Sequence, residues 1–299
     1  MLGKAIIMGR MVHLLFTLGL FFGAGGTILA EEETAADCPR TITITDAAGL
    51  FVSIRHFEGV DPANIPEIGR IAQDEFLPLL KEARGFRLYA TASIRVEDQE
   101  TVIATAVNVF TSEEEMRDAN ELALEFVSAN AAELLPLAPT IYSGNVNVLA
   151  AYANPCPTQE TSATTDDEER SPAYLGYRVY SDVEEADDID AINALVRDHF
   201  VPVISAAEGF ILYLNFTLLP PLEGVVALNI FASEAELKEA NDQAAEFVAA
   251  DLAELLPSPP QFYGGDVTVL DFSGLFADAA LDEVLDEVGE EASENDDEG

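Results

Sequence analysis

Two arginines stand at matching positions in two similar stretches of the sequence, each of them among aromatic residues. Arg55 lies in "FVSIRHFEGV" and Arg178 lies in "YLGYRVYSDV". Alternate residues of a strand share one face, so each arginine has aromatic rings on its own face. A guanidinium among aromatic rings could hold an acidic or planar ligand by stacking and by bidentate hydrogen bonds. The arginines could instead pair with glutamates of this acidic chain, and the sequence leaves both interpretations open.

Asparagine and tyrosine residues supply the other candidates for lining a ligand cavity. Asn108 and Asn229 begin the matching stretches "NVFTSEEE" and "NIFASEAE", and Tyr89 and Tyr213 end the stretches "GFRLY" and "GFILY". An asparagine on a strand more often hydrogen-bonds to nearby backbone than takes part in chemistry. The tyrosines fit the core or a cavity wall better than a catalytic role. Together with the arginines, these residues form a candidate ligand cavity.

The sequence offers no convincing set of acid, base and nucleophile, so the catalytic residues stay unknown. It contains no nucleophile elbow, P-loop, dinucleotide glycine pattern, zinc-ligand spacing or EF-hand loop. His56 and His199 do not occupy matching positions, and a lone histidine beside acidic residues is usually a surface residue. We therefore expect no metal and no cofactor. The missing catalytic set favours a protein without enzyme activity.

A unit of about a hundred residues occurs twice in the chain and must position these candidates. The stretch "FLPLLKEARGFRLY" from Phe76 aligns with "FVPVISAAEGFILY" from Phe200, and "IYSGNVNVL" from Ile141 aligns with "FYGGDVTVL" from Phe262. The spacing between matched positions changes by only a few residues along the chain, so the halves differ by short loop insertions. The sequence is therefore a tandem duplication.

Each unit reads as strand, helix, strand, strand, helix, strand. Pro78 and Pro202 fall late in the first helix of each unit and are expected to kink or end it, because proline lacks an amide hydrogen. Gly85 and Gly209 follow, and glycine allows the left-handed conformation that turns a helix end into a strand. The second helix of each unit begins with a capping box, a serine followed three residues later by a glutamate. The boxes are Ser112 with Glu115 and Ser233 with Glu236.

This order of elements predicts an α+β fold made of two ferredoxin-like repeats, each with a four-stranded antiparallel sheet and two helices on one face. The third strands, "TVIATAVNVF" and "VVALNIF", are apolar on both alternating faces. A sheet with one solvated face should alternate between apolar and polar residues. Something apolar must therefore cover the face that the helices leave free. We expect the two sheets to pack against each other as an α/β barrel within one chain.

With these elements in place, the chain resembles the dimeric α/β-barrel superfamily and, within it, the antibiotic-biosynthesis-monooxygenase-like (ABM-like) domains. The resemblance lies in "FEGVDP", in F-x-P-x-L followed by GF-x-x-Y, in N-V-F-x-S-x-E, and in A-x-E-F-V followed by A-E-L-L-P, and it spans both repeats. Members of that family normally build the barrel from two chains, so this chain resembles a fused version. They include cofactor-independent oxygenases of aromatic compounds, haem-degrading enzymes and proteins without an assigned activity. The active members rely on particular Asn, His or Trp residues, and this chain has no Trp.

Residues and resemblance together predict a barrel protein that binds a small apolar or aromatic ligand between its two sheets. One alternative is a cofactor-independent monooxygenase that acts on an aromatic substrate. Another is a noncatalytic scaffold for protein interactions. A ligand-binding barrel would keep the space between the sheets open, whereas a scaffold would fill it with side chains.

The charge of the chain excludes two classes of partner. It carries 14 Lys and Arg against 55 Asp and Glu, a formal net charge of −41. Such a surface repels phosphate backbones and anionic lipid, so we expect neither nucleic-acid binding nor membrane association after signal cleavage. Because both halves of the barrel belong to one chain, we expect a monomer.

The beginning of the chain predicts export. A short basic lead precedes the apolar run 14–30, which ends at Ala30 and is followed by "EEE". This pattern is typical of a cleaved signal peptide, and an uncleaved anchor is less consistent with so short and glycine-interrupted a run. We expect a secreted or periplasmic protein. The predicted divisions are 1–30 signal peptide, 31–49 N-terminal extension, 50–156 first ABM-like repeat, 157–171 acidic linker, 172–272 second ABM-like repeat and 273–299 acidic disordered tail.

The two cysteines, Cys38 and Cys156, bracket the first repeat. An exported chain with an even number of cysteines usually pairs them. In the ferredoxin-like order the first and last strands are neighbours, so the chain before one strand lies near the chain after the other. We predict a disulfide, with two free thiols as the alternative.

Overall fold

The computed structural model describes residues 41–47, 49–96, 99–153, 173–181, 183 and 185–275. Within these ranges the chain order is one strand followed by two copies of the predicted strand and helix pattern. The strands are β1 (Thr41–Asp46), β2 (Phe51–Val60), β3 (Phe86–Arg95), β4 (Val102–Phe110), β5 (Thr140–Ala153), β6 (Tyr174–Tyr180), β7 (Phe210–Leu218), β8 (Val225–Phe231) and β9 (Gln261–Asp271). The helices are α1 (Ile65–Ile71), α2 (Leu77–Glu82), α3 (Glu113–Asn130), α4 (Ala186–Leu195), α5 (Val201–Ser205) and α6 (Glu234–Phe247).

Eight of the strands close into an antiparallel barrel. The first repeat contributes the order β5-β2-β4-β3 and the second contributes β9-β6-β8-β7, which is the ferredoxin-like order in both cases. The repeats join edge to edge, because β3 pairs with β9 and β5 pairs with β7. The predicted α+β barrel within one chain is confirmed, and backbone hydrogen bonds close it at both seams.

Strand β1 was not predicted, since it falls in the stretch assigned to the N-terminal extension. It runs antiparallel to the second half of β5, with Thr41 opposite Ala153 and Asp46 opposite Val148. Its sequence "TITITD" alternates as a strand should, but it has no counterpart in the second repeat. Cys38 and Cys156 lie outside the described residues, so the disulfide stays a prediction.

The prolines of the first helices are accommodated by a widening of the helix. A π-helical turn, Ala72–Phe76, joins α1 to α2 directly before Pro78, and Val196–Phe200 joins α4 to α5 before Pro202. Proline has no amide hydrogen for the carbonyl one turn earlier, and a wider turn absorbs the missing hydrogen bond. The helices therefore continue past the prolines and do not end there.

The capping boxes are present at the start of α3 and α6. The Ser112 hydroxyl accepts the Glu115 amide at 3.2 Å, and the Ser233 hydroxyl accepts the Glu236 amide at 3.3 Å. These bonds satisfy amide groups that a helix start leaves without a partner. The predicted beginnings of both helices are confirmed. None of the helices in the described ranges combines the length and hydropathy that crossing a membrane requires.

The barrel has an apolar interior and an outer face that packs against the helices. Side chains alternate along each strand, so Val52 and Ile54 point inward while Ser53 and Arg55 point toward the helices. Apolar side chains from both repeats pack together between the sheets, where the sequence placed a ligand, and that ligand stays a prediction. Those buried at this centre include Val52, Ile54, Leu88, Ala90, Val107, Val109, Leu175, Tyr177, Leu212, Leu214, Phe216, Leu228 and Ile230.

Candidate functional site

The candidate residues lie on the outer face of the barrel, beneath the helices, rather than between the sheets. The structure separates them into two groups, one in each repeat. Both sheet faces are buried, so the sequence could not show which face carries the arginines. The first group is Arg55, Tyr89 and Asn108, and the second is Arg178, Tyr213 and Asn229.

Arg55 is held by two asparagine side chains. Its Nη2 donates to Asn108 Oδ1 at 2.8 Å, and its Nη1 donates to Asn120 Oδ1 at 2.7 Å. Asn120 Oδ1 also accepts the Ser53 hydroxyl at 2.9 Å. In the part of the chain that the structure describes, Arg55 forms no ion pair with a carboxylate. The pairing with a glutamate that the sequence left open is therefore not formed there.

Burial controls the ionisation of this group. Only 1% of Arg55 is exposed, and this burial lowers its pKa to about 10, while Tyr89 acts in the opposite direction. Burial raises the pKa of Tyr89 to about 12, against the effect of the Arg55 charge. At neutral pH the guanidinium is therefore charged and the phenol is protonated. The Nδ2 of Asn108 is also buried without an acceptor, so the group has more donors than acceptors.

An apolar pocket lies between this group and the helices of the first repeat. Its volume is about 60 Å³. Arg55 and Tyr89 belong to its wall, and carbon-rich side chains from α1, the π-helical turn, α3 and the strands supply most of the rest. The second repeat completes the wall with Thr268, whose hydroxyl lies 2.7 Å from that of Thr91 across the seam between β3 and β9. The pocket therefore depends on both repeats.

The matching pocket of the second repeat is smaller, at about 30 Å³. Arg178 donates to Asn241 Oδ1 at 2.5 Å, and the Phe262 ring centre lies 5.6 Å from its guanidinium carbon. Burial lowers the pKa of Arg178 and raises that of Tyr213. Asn229 has neither side-chain atom in a hydrogen bond, so it does not hold the arginine as Asn108 does.

Asn120 and Asn241 are the site residues that sequence reasoning missed. They occupy matching positions in α3 and α6, within "RDANE" and "KEAND". Each lies beside the buried stripe of its helix, next to Ala119 or Ala240. Both repeats have an asparagine at the same position beside the buried stripe of the second helix, and this recurrence could have revealed the two residues.

Solved structures share this architecture. A protein of Fusobacterium nucleatum called a putative monooxygenase has a TM-score of 0.57 and 10% identity, over 76% of this chain and 96% of its own. A putative monooxygenase from Lactobacillus acidophilus has a TM-score of 0.52 and 11% identity, over 76% and 97%. An anthrone oxidase-like protein has a TM-score of 0.50 and 14% identity, over 78% and 97%. No family model and no curated protein sequence matches the chain.

These three structures are dimeric α/β barrels of the ABM-like kind. The present chain has the dimeric α/β-barrel fold. Identities this low establish the fold and not the activity. In this dimeric α/β barrel both halves come from one polypeptide, as the resemblance implied.

The interior of this dimeric α/β barrel also contains a histidine among tyrosines. The ring centre of His56 lies 5.4 Å from Tyr142, 5.5 Å from Tyr177 and 4.8 Å from Tyr263. Burial lowers the pKa of His56 to about 4, so the imidazole is neutral at neutral pH. His56 faces the opposite side of the sheet from Arg55, and His199 is exposed. Neither histidine belongs to the pocket.

Proposed function

We propose that the pocket of the first repeat binds a small apolar or aromatic compound that carries a carboxylate or phenolate oxygen. One observation carries this proposal. Arg55 is a fully buried charge without a carboxylate partner among the described residues, and it belongs to the wall of an apolar pocket. The chain is rich in acidic groups, yet among the described residues the hydrogen-bond partners of this cation are neutral amides.

The chemistry of the wall selects the ligand class. A buried charge without a counter-ion is costly, and an anionic oxygen would supply the missing opposite charge. Hydrogen bonds between guanidinium and carboxylate are charge-assisted and about twice as strong as neutral ones. The carbon-rich remainder of the pocket favours an apolar body on the same compound.

The size of the pocket limits that body. Sites for drug-sized ligands usually measure about 300 to 1,000 Å³, and this pocket measures about 60 Å³. A compound with a single ring already requires some movement of the wall. The π-helical turn Ala72–Phe76 forms part of that wall, and such turns are frequent at functional sites. We therefore expect selection for small compounds.

Calorimetric titration with benzoate tests the proposal, with benzyl alcohol as the neutral comparison. We expect benzoate to bind the native chain more tightly than benzyl alcohol. Arg55→Gln should weaken benzoate binding at least about tenfold, which corresponds to about 1.4 kcal/mol. Arg178→Gln is the matched control and should leave binding unchanged. Equal losses in the two variants, with both folded, would contradict the assignment to the first repeat.

The names of the similar structures favour a second candidate function, oxidation of an aromatic compound by oxygen. Two are called putative monooxygenases and one an anthrone oxidase-like protein. An anthrone has three fused rings and would require a much larger pocket than this one. An oxygen electrode with anthrone as substrate tests this candidate. Oxygen uptake that Arg55→Gln abolishes would support oxidation, and no uptake would leave binding as the function.

A further inference from the structure

We infer that, of the two matching pockets beneath the helices, the one in the first repeat takes a ligand and the one in the second repeat is a plugged copy of it. The ligand of the pocket in the first repeat rests on the proposed function, whereas the difference between the pockets rests on geometry alone. The duplication makes the comparison direct, because each wall residue has a counterpart at the matching position.

Most of the wall is the same in the two pockets. Both arginines, both tyrosines and the phenylalanines of the helices recur, so a general change of architecture does not explain the smaller volume. The unchanged pairs are Arg55 and Arg178, Ile68 and Ile192, Phe76 and Phe200, Tyr89 and Tyr213, Ala106 and Ala227, Ala123 and Ala244, Phe126 and Phe247, Val127 and Val248, and Leu135 and Leu256.

Five matched pairs of wall residues differ, and two of them are Phe57 with Tyr180 and Thr91 with Asn215. In the other three pairs the first repeat has alanine, and the second repeat has a larger branched side chain that is at most 4% exposed. These larger side chains lie in the wall of the smaller pocket and occupy space that the alanines leave free. The pairs are Ala72 and Val196, Ala104 and Val225, and Ala131 and Leu252.

The arginine of the second repeat is also covered. Phe262 lies against the Arg178 guanidinium, and a cation held over an aromatic face is partly satisfied. The matching residue of the first repeat is Ile141, which has no aromatic ring. The second repeat therefore has the smaller pocket and places an aromatic ring over its arginine. The first repeat has the larger pocket, and Ile141 at the matching position offers Arg55 no ring.

Xenon tests this inference without knowledge of the natural ligand, because it enters small apolar cavities. We expect crystals of the native chain under xenon pressure to take up xenon in the pocket of the first repeat and not in the second. Leu252→Ala should open a second xenon site beside Arg178. Ala131→Leu, which copies the second repeat, should abolish the first site.

Val196→Ala removes fewer atoms and gives a second variant if Leu252→Ala does not fold. Equal xenon occupancy of both pockets in the native chain would overturn the inference. So would folded Leu252→Ala or Val196→Ala variants that gain no xenon in the second repeat. If the xenon pattern holds while benzoate fails to bind, the proposed function is wrong and the plugged pocket stands. If benzoate binds through Arg55 while xenon fills both pockets, the proposed function stands and the plugged pocket is wrong.

Discussion

The buried arginines illustrate how a charge is placed inside an acidic protein without a carboxylate. Arg55 gains two amide acceptors, and each bond compensates part of the hydration that burial removes. The sequence predicted Arg55, Asn108 and Tyr89 as one group because they recur in both copies. It did not predict Asn120, because residues of α3 were interpreted as structural. Assigning a residue to a helix does not show whether its side chain reaches the sheet.

Asn120→Ala removes an acceptor that Arg55 and Ser53 share and should lower the free energy of unfolding by about 1.5 to 3 kcal/mol, the range for hydrogen bonds to charged groups. Asn241→Ala is the matched change in the second repeat. Asn241→Ala should lower the free energy of unfolding by less, because Arg178 is 9% exposed whereas Arg55 is 1% exposed. Phe262 also covers the Arg178 guanidinium. Urea unfolding measures both. A larger loss for Asn241→Ala would contradict the role given to Asn120.

His56 should make stability depend on pH. Its pKa is about 4 in the folded chain and about 6.5 in an unfolded one. The unfolded chain therefore binds a proton first as the pH falls, so stability contributed by the neutral histidine is present above pH 6.5 and is lost toward pH 4. The loss should reach about 3 kcal/mol.

His56→Val is the matched control, because Val179 occupies the corresponding position of the second repeat. Urea unfolding of both proteins from pH 7 to pH 4.5 should show the native chain losing stability relative to the variant as the pH falls. The difference between the two proteins cancels the contribution of the many surface carboxylates. Parallel pH profiles would show that burial does not lower the pKa of His56.

The glycines before β3 and β7 are elements of the fold that the sequence predicted correctly. Gly85 has φ of +73° and Gly209 has φ of +71°, a conformation that other residues rarely adopt. Their carbonyls accept the amides of Thr111 and Ala232 at 3.0 and 2.8 Å, which ties the two corners to the ends of β4 and β8. The repeated "GF" thus marks a helix-to-strand corner and not a binding motif.

Gly85→Ala should lower the free energy of unfolding by about 1 to 2 kcal/mol for the left-handed conformation alone. The added carbon would also overlap the Glu115 carboxylate. Gly69→Ala is the control, because Gly69 lies inside α1 and a Cβ there makes only ordinary contact with Thr268 at 3.6 Å. That change should stabilise by about 0.5 to 1 kcal/mol. Thermal unfolding measures both variants. A melting temperature that changes in the same direction for Gly85→Ala and Gly69→Ala would contradict this account.

The sequence did not show which face of the sheet carries the arginines, nor which strands pair between the two repeats. In β4 every residue is buried, so alternation carries no signal that separates the two faces. The expectation of a ligand between the sheets followed from this ambiguity and stays a prediction. The pocket beside Arg55 lies on the other face, beneath the helices. The β3–β9 and β5–β7 seams join distant segments and leave no local pattern.

At the scale of the whole molecule, one chain supplies all eight barrel strands. Neither seam requires a second copy, and this supports the proposal that the protein is a monomer. Export remains a proposal that rests on the first residues of the chain. The predicted division into domains also stays a prediction. The acidic surface should slow the approach of an anionic ligand at low salt, because like charges are then poorly screened.

The register of β1 supports the proposed disulfide. Thr41 pairs with Ala153 in an antiparallel ladder, and Cys38 and Cys156 each lie three residues beyond that pair in sequence. A disulfide that closes the loop from Cys38 to Cys156 should stabilise the protein by about 5 kcal/mol in the chain-entropy model. Peptide mapping without reductant should recover the linked pair, and Cys38→Ser should lower the melting temperature. Recovery of two free thiols from exported protein would contradict the pairing.

The position of a bound aromatic acid tests the central claim most directly. A crystal structure of the chain soaked with benzoate should place the ring between the helices and the outer sheet face of the first repeat. Its carboxylate should lie within hydrogen-bond distance of Arg55, and the pocket beside Arg178 should hold none. Benzoate between the two sheets, or only in the second repeat, or absent at a concentration that saturates binding in solution, would contradict the account.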